Sequence, residues 1–149
     1  MTGTEEKEFQ NFWNRLNQID LGQFVSLNIA IRRFNDAYER ERLEDKLIDH
    51  MIAFEALYFK EGEMGEFRHK LAVRSARFLK QSYEDRKEII RQMKEFYDKR
   101  SKIVHGEKVT LNKKFINDVE DHLRNSIKRF IERIQTSNHD AIISHLDLD

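Results

Sequence analysis

The chain has 149 residues, 27 Lys and Arg against 27 Asp and Glu, and neither Pro nor Cys. This length predicts one domain large enough to bury a core, and the lack of Cys excludes disulfides and thiolate metal sites. A Pro-free, highly charged composition favours helices with charged outer faces. No apolar run approaches the ~18 residues of a membrane span, and the first residues lack the pattern of a signal peptide. We therefore expect a cytoplasmic, all-helical protein.

Apolar residues recur at three- and four-residue spacing along most of the chain, which predicts an all-α bundle of about five or six helices. The helices are expected over residues 5–19, 23–39, 42–60, 65–80 and 82–105, and a last helix is expected to end at about residue 135. The first carries Phe9, Phe12, Trp13, Leu16 and Ile19 on one face. The apolar stripe of the second ends at Tyr38. No helix breaker separates the second from the third, so these are either two helices or one long kinked helix.

The helix over 82–105 has sequence signals at both ends. Ser82, followed three residues later by Asp85, resembles a capping box, and Gly106 is expected to cap the C-terminal end. Either Thr110 or Asn112 is expected to cap the next helix. Residues 1–135 are predicted to form a single helical domain, and residues 136–149 an acidic tail or a short docked helix.

Three charged residues interrupt apolar stripes: Glu55 on the third helix, Arg74 on the fourth and Arg100 on the fifth. A charge in such a stripe must be paired or must line a pocket, because burying it alone costs too much free energy. One interpretation is a buried ion network, in which Glu55 pairs with Arg74 or Arg100 and fixes the helix register. The other is a functional pocket at Arg100, which His105 favours because it follows at the end of the same helix.

The candidate site occupies the last two turns of that helix. Residues five apart are rotated by roughly 140°, so Arg100 and His105 do not share one face. Tyr97 and Ser101 fill the face between them, and the four side chains cover about half of the helix surface. Lys99 and Lys102 flank them and suit phosphate contacts, although a solvated Lys is the default interpretation.

Charge is unevenly distributed along the chain. Residues 66–135 contain 19 Lys and Arg against 11 Asp and Glu, a net charge of +8. Residues 1–65 carry a net charge of −5, and residues 136–149 carry −3. The basic half therefore fits a polyanionic partner. Solvated helix faces in a charge-rich protein account for the excess equally well.

Three stretches resemble, in order and spacing, the HEPN superfamily of small all-helical domains, in particular its Apea-like branch. They are LIDHMIAFEAL over 47–57, KLAVRSA over 70–76 and YDKRSKIVHG over 97–106. The likeness covers residues 43–106. It implies a HEPN-like fold, and Arg100 and His105 match the Arg-x4–6-His motif of that superfamily. Apea-like domains often end larger proteins, so we expect either a free-standing member or a piece of a longer chain.

The resemblance implies a metal-independent endoribonuclease that acts on RNA without a cofactor, in defence or stress response. In the family chemistry, a ribose 2′-OH attacks the adjacent phosphodiester and leaves a cyclic phosphate and a 5′-OH. Arg100 would stabilise the phosphorane and His105 would move a proton. Glu55 and Arg74 would support these two residues without contacting the RNA. Because each chain supplies one such His, a homodimer would complete the site.

Two positions depart from the family pattern. Glu107 stands where one toxin subgroup has a Tyr, so neutralisation by a nucleotidyltransferase antitoxin is not supported. Ser101 stands where several active relatives carry Asn, Asp or His. The alternative function is therefore a non-catalytic RNA-binding or dimerisation module, and a third interpretation makes the Arg100–Glu55 pair purely structural.

Overall fold

A computed structural model of the chain describes residues 24–148 throughout and, before them, residues 3, 4, 7, 8, 10, 11 and 14. Residues 24–148 contain α1 (Val25–Glu39), α2 (Leu43–Tyr58), α3 (Phe67–Leu79), α4 (Tyr83–Val104), α5 (Lys113–Arg133) and α6 (His139–Leu146). The described residues contain no strand, which confirms the predicted all-α bundle. The helix predicted over 5–19 lies largely outside the described residues, and those of its positions that are described are helical.

Two helices, rather than one kinked helix, occupy residues 25–58. The backbone is extended at Arg40 (ψ 133°) and again at Arg42 (ψ 136°), which ends α1 and precedes α2. Asp49 on α2 then joins the two helices, because it accepts from Arg40 Nε at 2.8 Å and Arg33 Nη1 at 3.1 Å. This buried carboxylate, 2% exposed, fixes how α1 folds back on α2.

The helix α2 lies at the centre of the bundle, in contact with α1, α3, α4 and α5. Leu47, Met51, Phe54 and Tyr58 lie along it at helical spacing, and all four are fully buried. The Tyr58 hydroxyl is satisfied there by Ser126 Oγ on α5, at 2.7 Å. Burying side chains of this size stabilises the fold by about 1.5–3 kcal/mol each.

The position of Tyr38 differs from the prediction. Although it lies at the end of the apolar stripe of α1, it is 57% exposed. Its hydroxyl donates to Glu120 on α5 and accepts from Arg124 Nη2. A Tyr side chain at the edge of the bundle can make hydrogen bonds through its hydroxyl while its ring stays partly in solvent. Hydrophobic spacing alone does not distinguish such a Tyr from one whose ring is buried.

Helix caps explain why the predicted ends of the later helices are accurate. The Ser82 side chain accepts from Asp85 N–H at 3.2 Å at the start of α4. Asn112, one of the two predicted candidates, accepts from Phe115 N–H at 2.8 Å at the start of α5. Each cap satisfies a backbone donor that would otherwise have no partner in the helix.

The residues after 135 form the short helix α6, which packs on the bundle through Ile142, Ile143 and Leu146. Two cations anchor it: Lys60 Nζ donates to Ser144 Oγ, and Arg77 Nη1 donates to Leu146 O, each at 2.7 Å. No helix among residues 24–148 is long and apolar enough to cross a bilayer.

Candidate functional site

The helix α4 ends in a Schellman motif that fixes the position of the Arg–His stretch. Gly106 N–H donates to Ile103 O at 3.0 Å, and Glu107 N–H donates to Lys102 O at 2.9 Å. Gly106 has φ +79°, a left-handed conformation that residues with a Cβ rarely adopt. The predicted glycine stop is therefore confirmed, with His105 as the last residue before the chain reverses.

Arg100 lies at the edge of the core and pairs with Glu55 of α2. Its Nη2 donates to Glu55 Oε1 at 2.5 Å, and its guanidinium carbon lies 5.0 Å from the centre of the Tyr97 ring. The two charged side chains are 24% and 36% exposed. Arg100 Nε is enclosed and has no hydrogen-bond partner among the described residues. This guanidinium is thus held from two sides, but part of its donor capacity is unused.

His105 is exposed at the C-cap position of α4, and its backbone N–H donates to Ser101 O at 3.1 Å. In the described part of the chain no hydrogen bond or ion pair joins His105 to Arg100, as their separation along the helix predicts. A single chain therefore brings together Arg100, Glu55 and Tyr97. The side chain of His105 is exposed to solvent.

The two lysines of the candidate site have different surroundings. Lys99 Nζ donates to Thr110 O at 3.2 Å and lies 4.8 Å from the centre of the Phe115 ring, so it ties α4 to the loop before α5. Lys102 is exposed, and Ser101 is half-buried beside it. Of the two cations, Lys102 is therefore the one presented to an approaching anion.

Arg74 does not pair with Glu55, which was one of the two pairings that the sequence allowed. It is only 3% exposed, and Glu63 takes bonds from its Nη1 and Nη2 at 2.9 and 2.7 Å. Asp147 takes bonds from its Nε and Nη2, both at 2.9 Å. Its Nη1 also donates to Tyr58 O at 2.8 Å. All three nitrogens are thus occupied, and these bonds lower the pKa of Glu63 to about 2.

Sequence reasoning did not identify Glu63 and Asp147, the two carboxylates that neutralise Arg74. Glu63 lies in the loop between α2 and α3, and Asp147 follows α6, so neither belongs to a periodic stripe. The only available signal was the requirement that Arg74 be paired. Because the loop and the tail supply the partners of Arg74, it belongs to the packing of α6 and not to the Arg100 site.

Burial lowers the pKa of two histidines in the bundle. His50 is 2% exposed, and its pKa falls to about 4. His122 is half-buried with Nε2 at 2.6 Å from Gln92 Oε1, and burial lowers its pKa as well. Both lie away from the end of α4. Within the described residues, no group of three or more His, Asp or Glu side chains is placed to hold a metal ion.

Comparison with known proteins gives no match: no family model, no curated protein and no solved structure is similar to this chain.

Proposed function

We propose that this protein is a cytoplasmic, metal-independent endoribonuclease of the HEPN type, which cleaves RNA at a composite site in a homodimer during defence or stress response. The resemblance of residues 43–106 suggests this activity. One structural observation supports it most directly: the guanidinium of Arg100 is partly exposed and incompletely bonded, unlike that of Arg74.

The contrast between the two arginines separates a structural role from a binding role. Arg74 is buried, and each of its nitrogens donates to a fixed acceptor. Arg100 is 24% exposed, bonds one carboxylate oxygen through Nη2 and has an unpartnered Nε. Buried donors without partners are uncommon and call for an explanation. A phosphate that replaces the Glu55 carboxylate as the side chain shifts outward would satisfy this donor.

The proposed chemistry assigns charge stabilisation to Arg100. The ribose 2′-oxygen attacks phosphorus, the bond from phosphorus to the 5′-oxygen breaks, and a 2′,3′-cyclic phosphate and a 5′-OH remain. Negative charge builds on the phosphoryl oxygens in the transition state, and two parallel N–H bonds from a guanidinium stabilise it. Tyr97 limits the positions that the guanidinium takes, because the cation lies over its ring.

The proton transfers are assigned to His105. One base must take the proton of the 2′-OH, and one acid must protonate the 5′-oxygen, so two groups are required. A two-fold axis near the end of α4 would place His105 of each subunit in one cleft. Half-buried Ile103 and Val104, which is 59% exposed, would give that interface apolar surface. The exposed Lys102 would lie at its rim, where it would meet the RNA backbone.

The test is incubation of the full chain with a mixed pool of tRNA and mRNA in EDTA. We expect fragments with cyclic-phosphate ends from the wild type, none from His105→Ala, and unchanged cleavage by His145→Ala, which removes another exposed His. Arg100→Gln should also abolish cleavage without unfolding the protein. Cleavage that stops in EDTA, or that persists in His105→Ala, contradicts the proposal.

The alternative is a non-catalytic RNA-binding or dimerisation module, and one observation favours it. The Glu55 carboxylate already occupies the guanidinium of Arg100 at 2.5 Å, so a phosphate must displace it. In that case RNA is retained and remains intact in the same incubation. Glu55→Gln then strengthens RNA binding, because it removes the competing charge, and no variant produces fragments.

A further inference from the structure

The connection between α4 and α5 is strongly cationic. Residues 99–114 contain six Lys and Arg and a single carboxylate, that of Glu107. Asp98, which directly precedes this segment, is already neutralised, because it accepts from Arg68 Nε and Nη2 at 2.7 and 2.9 Å. The end of the bundle that carries the Arg–His stretch therefore presents an excess of positive charge to solvent.

Three lysines of this segment have no partner for their charge. Lys102 in the last turn of α4, Lys108 in the loop and Lys113 at the start of α5 are all exposed. Within residues 24–148, none of these three ammonium groups makes a hydrogen bond or an ion pair. Lys114, by contrast, pairs with Asp118 at 3.1 Å. An incoming phosphate can bind the three unpaired lysines without first displacing a carboxylate.

The loop that carries Lys108 is held beside α4. The chain reverses at Gly106, and four residues later Thr110 O accepts from Lys99 Nζ of α4 at 3.2 Å. Lys108 lies between these two fixed points, so the loop turns back along the last turns of the helix instead of leaving the bundle. Those turns also carry Arg100, so the cations of the loop and of the candidate site belong to one surface.

Stability of the helix does not explain the lysine at the start of α5. Its first turn begins with Lys113 and Lys114 and contains no acidic residue, whereas α4 begins with Glu84 and Asp85. The N-terminal end of a helix carries a partial positive charge, so acidic side chains stabilise it and cations there are unfavourable. Lys113 therefore costs the free protein some stability, and that cost is offset only when negative charge is bound.

We infer that Lys102, Lys108 and Lys113 form a cationic track that binds the RNA backbone on either side of the phosphate at Arg100. This inference rests on the proposed function and specifies its substrate class: a chain of several nucleotides, held through its phosphates and not through its bases. A nucleic acid suits the track better than an acidic peptide does, because the adjacent Arg100 has an unpartnered Nε that a phosphate can satisfy in a bidentate contact.

The test is the binding of the full chain to a short fluorescein-labelled 2′-O-methyl oligoribonucleotide, followed by fluorescence anisotropy. This probe lacks the 2′-OH and stays intact whether or not the protein is a nuclease. Lys108→Gln and Lys113→Gln should each weaken binding about fivefold at an ionic strength of about 0.1 M, and the double variant should reduce the slope of log affinity against log salt by about 1.4. The control Lys80→Gln/Lys87→Gln removes two exposed lysines near the opposite end of α4 and should keep both the affinity and the slope.

Two further variants separate binding from stability. Glu107→Gln should tighten binding of the probe, because it removes the single carboxylate of the segment. Lys113→Glu should weaken binding more than Lys113→Gln does, and it should raise the urea midpoint, because an acidic side chain suits the start of a helix. A lysine that only stabilises α5 would give the opposite change in the midpoint.

The inference is overturned if the wild type does not bind the probe, or if Lys108→Gln/Lys113→Gln binds with unchanged affinity and salt slope. Competition by poly-glutamate at the same charge concentration as unlabelled probe, and with equal strength, also overturns it and assigns the surface to an acidic protein. The two proposals fail separately. A protein that binds through these lysines but cleaves no RNA overturns the nuclease proposal alone, and cleavage by a protein whose binding does not depend on them overturns the cationic track alone.

Discussion

Replacing Arg74 or Arg100 with alanine removes the same side chain from two different surroundings, and we expect very different losses of stability. At Arg74 the loss leaves Glu63, whose side chain is 14% exposed, with Lys70 Nζ at 3.1 Å as its remaining cation, and it leaves the buried Tyr58 carbonyl without the Arg74 donor. Breaking a buried pair by removing one member costs about 3–5 kcal/mol. At Arg100 the remaining carboxylate of Glu55 is 36% exposed and turns to water, so the loss should stay below about 1 kcal/mol.

Equilibrium unfolding in urea, followed by far-UV circular dichroism, measures both losses. With a slope of about 2 kcal/mol per molar urea, Arg74→Ala should lower the midpoint by roughly 2 M and Arg100→Ala by less than about 0.5 M. Arg74→Met is the second variant if Arg74→Ala does not fold, because it keeps the apolar stem of the side chain. Its loss should still exceed that of Arg100→Met.

Equal losses for the two arginines would refute the reasoning. In that case Arg100 is a structural residue like Arg74, and its unpartnered Nε has no bearing on phosphate binding. A small loss for Arg100→Ala removes the structural interpretation and leaves RNA cleavage or RNA binding as its function. The cleavage assay with His105→Ala then separates those two.

Three further predictions follow from burial, pairing and backbone conformation. Burial lowers the pKa of His50 from 6.5 to about 4, so the unfolded chain takes up the proton first. The free energy of unfolding should therefore fall between pH 6.5 and 4 by up to ~1.4 kcal/mol per pH unit, and His50→Leu should flatten this fall in pH-dependent urea titrations. Bonds from Arg74 lower the pKa of Glu63 from 4.5 to about 2, so the stabilisation that these bonds give is complete above pH 4.5 and is lost as the pH falls towards 2. Glu63→Gln should remove this loss of stability from the same urea titrations. An unchanged pH profile in Glu63→Gln would contradict the pairing of Arg74 with Glu63 as its cause. Gly106→Ala should lower the free energy of unfolding, measured by thermal unfolding, by about 1–2 kcal/mol, because φ is +79°. An added Cβ meets no atom within 4 Å, so the cost comes from the backbone conformation and not from a clash. Gly106→Asn should lose less stability than Gly106→Ala, because Asn adopts the left-handed conformation more readily. Equal losses of stability in the two variants would show that the backbone conformation is not the reason for the loss.

The spacing of residues along the chain predicts the pairing of one of the two arginines but not of the other. The interruption of an apolar stripe predicted that Arg100 is paired or lines a pocket, and Glu55 was one of the anticipated partners. The pairing of Arg74 could not be predicted in the same way. Its two carboxylate acceptors are 11 and 73 residues away along the chain, one in a loop and one after the last helix. No periodicity connects such positions, because only the folded chain brings them together.

The helices themselves were determined by the sequence. Apolar spacing sets the faces, and local caps such as Ser82, Asn112 and Gly106 set the ends, since each acts within four residues of its own position. The degree of burial of a side chain and its choice of partner depend instead on how the helices pack together. His50 on α2 is buried, whereas Tyr38 at the end of the apolar stripe of α1 is 57% exposed. The difference arises because the burial of a side chain depends on which neighbouring helix covers that face. For the same reason every guanidinium nitrogen of Arg74 has an acceptor, whereas Arg100 keeps an enclosed Nε without one.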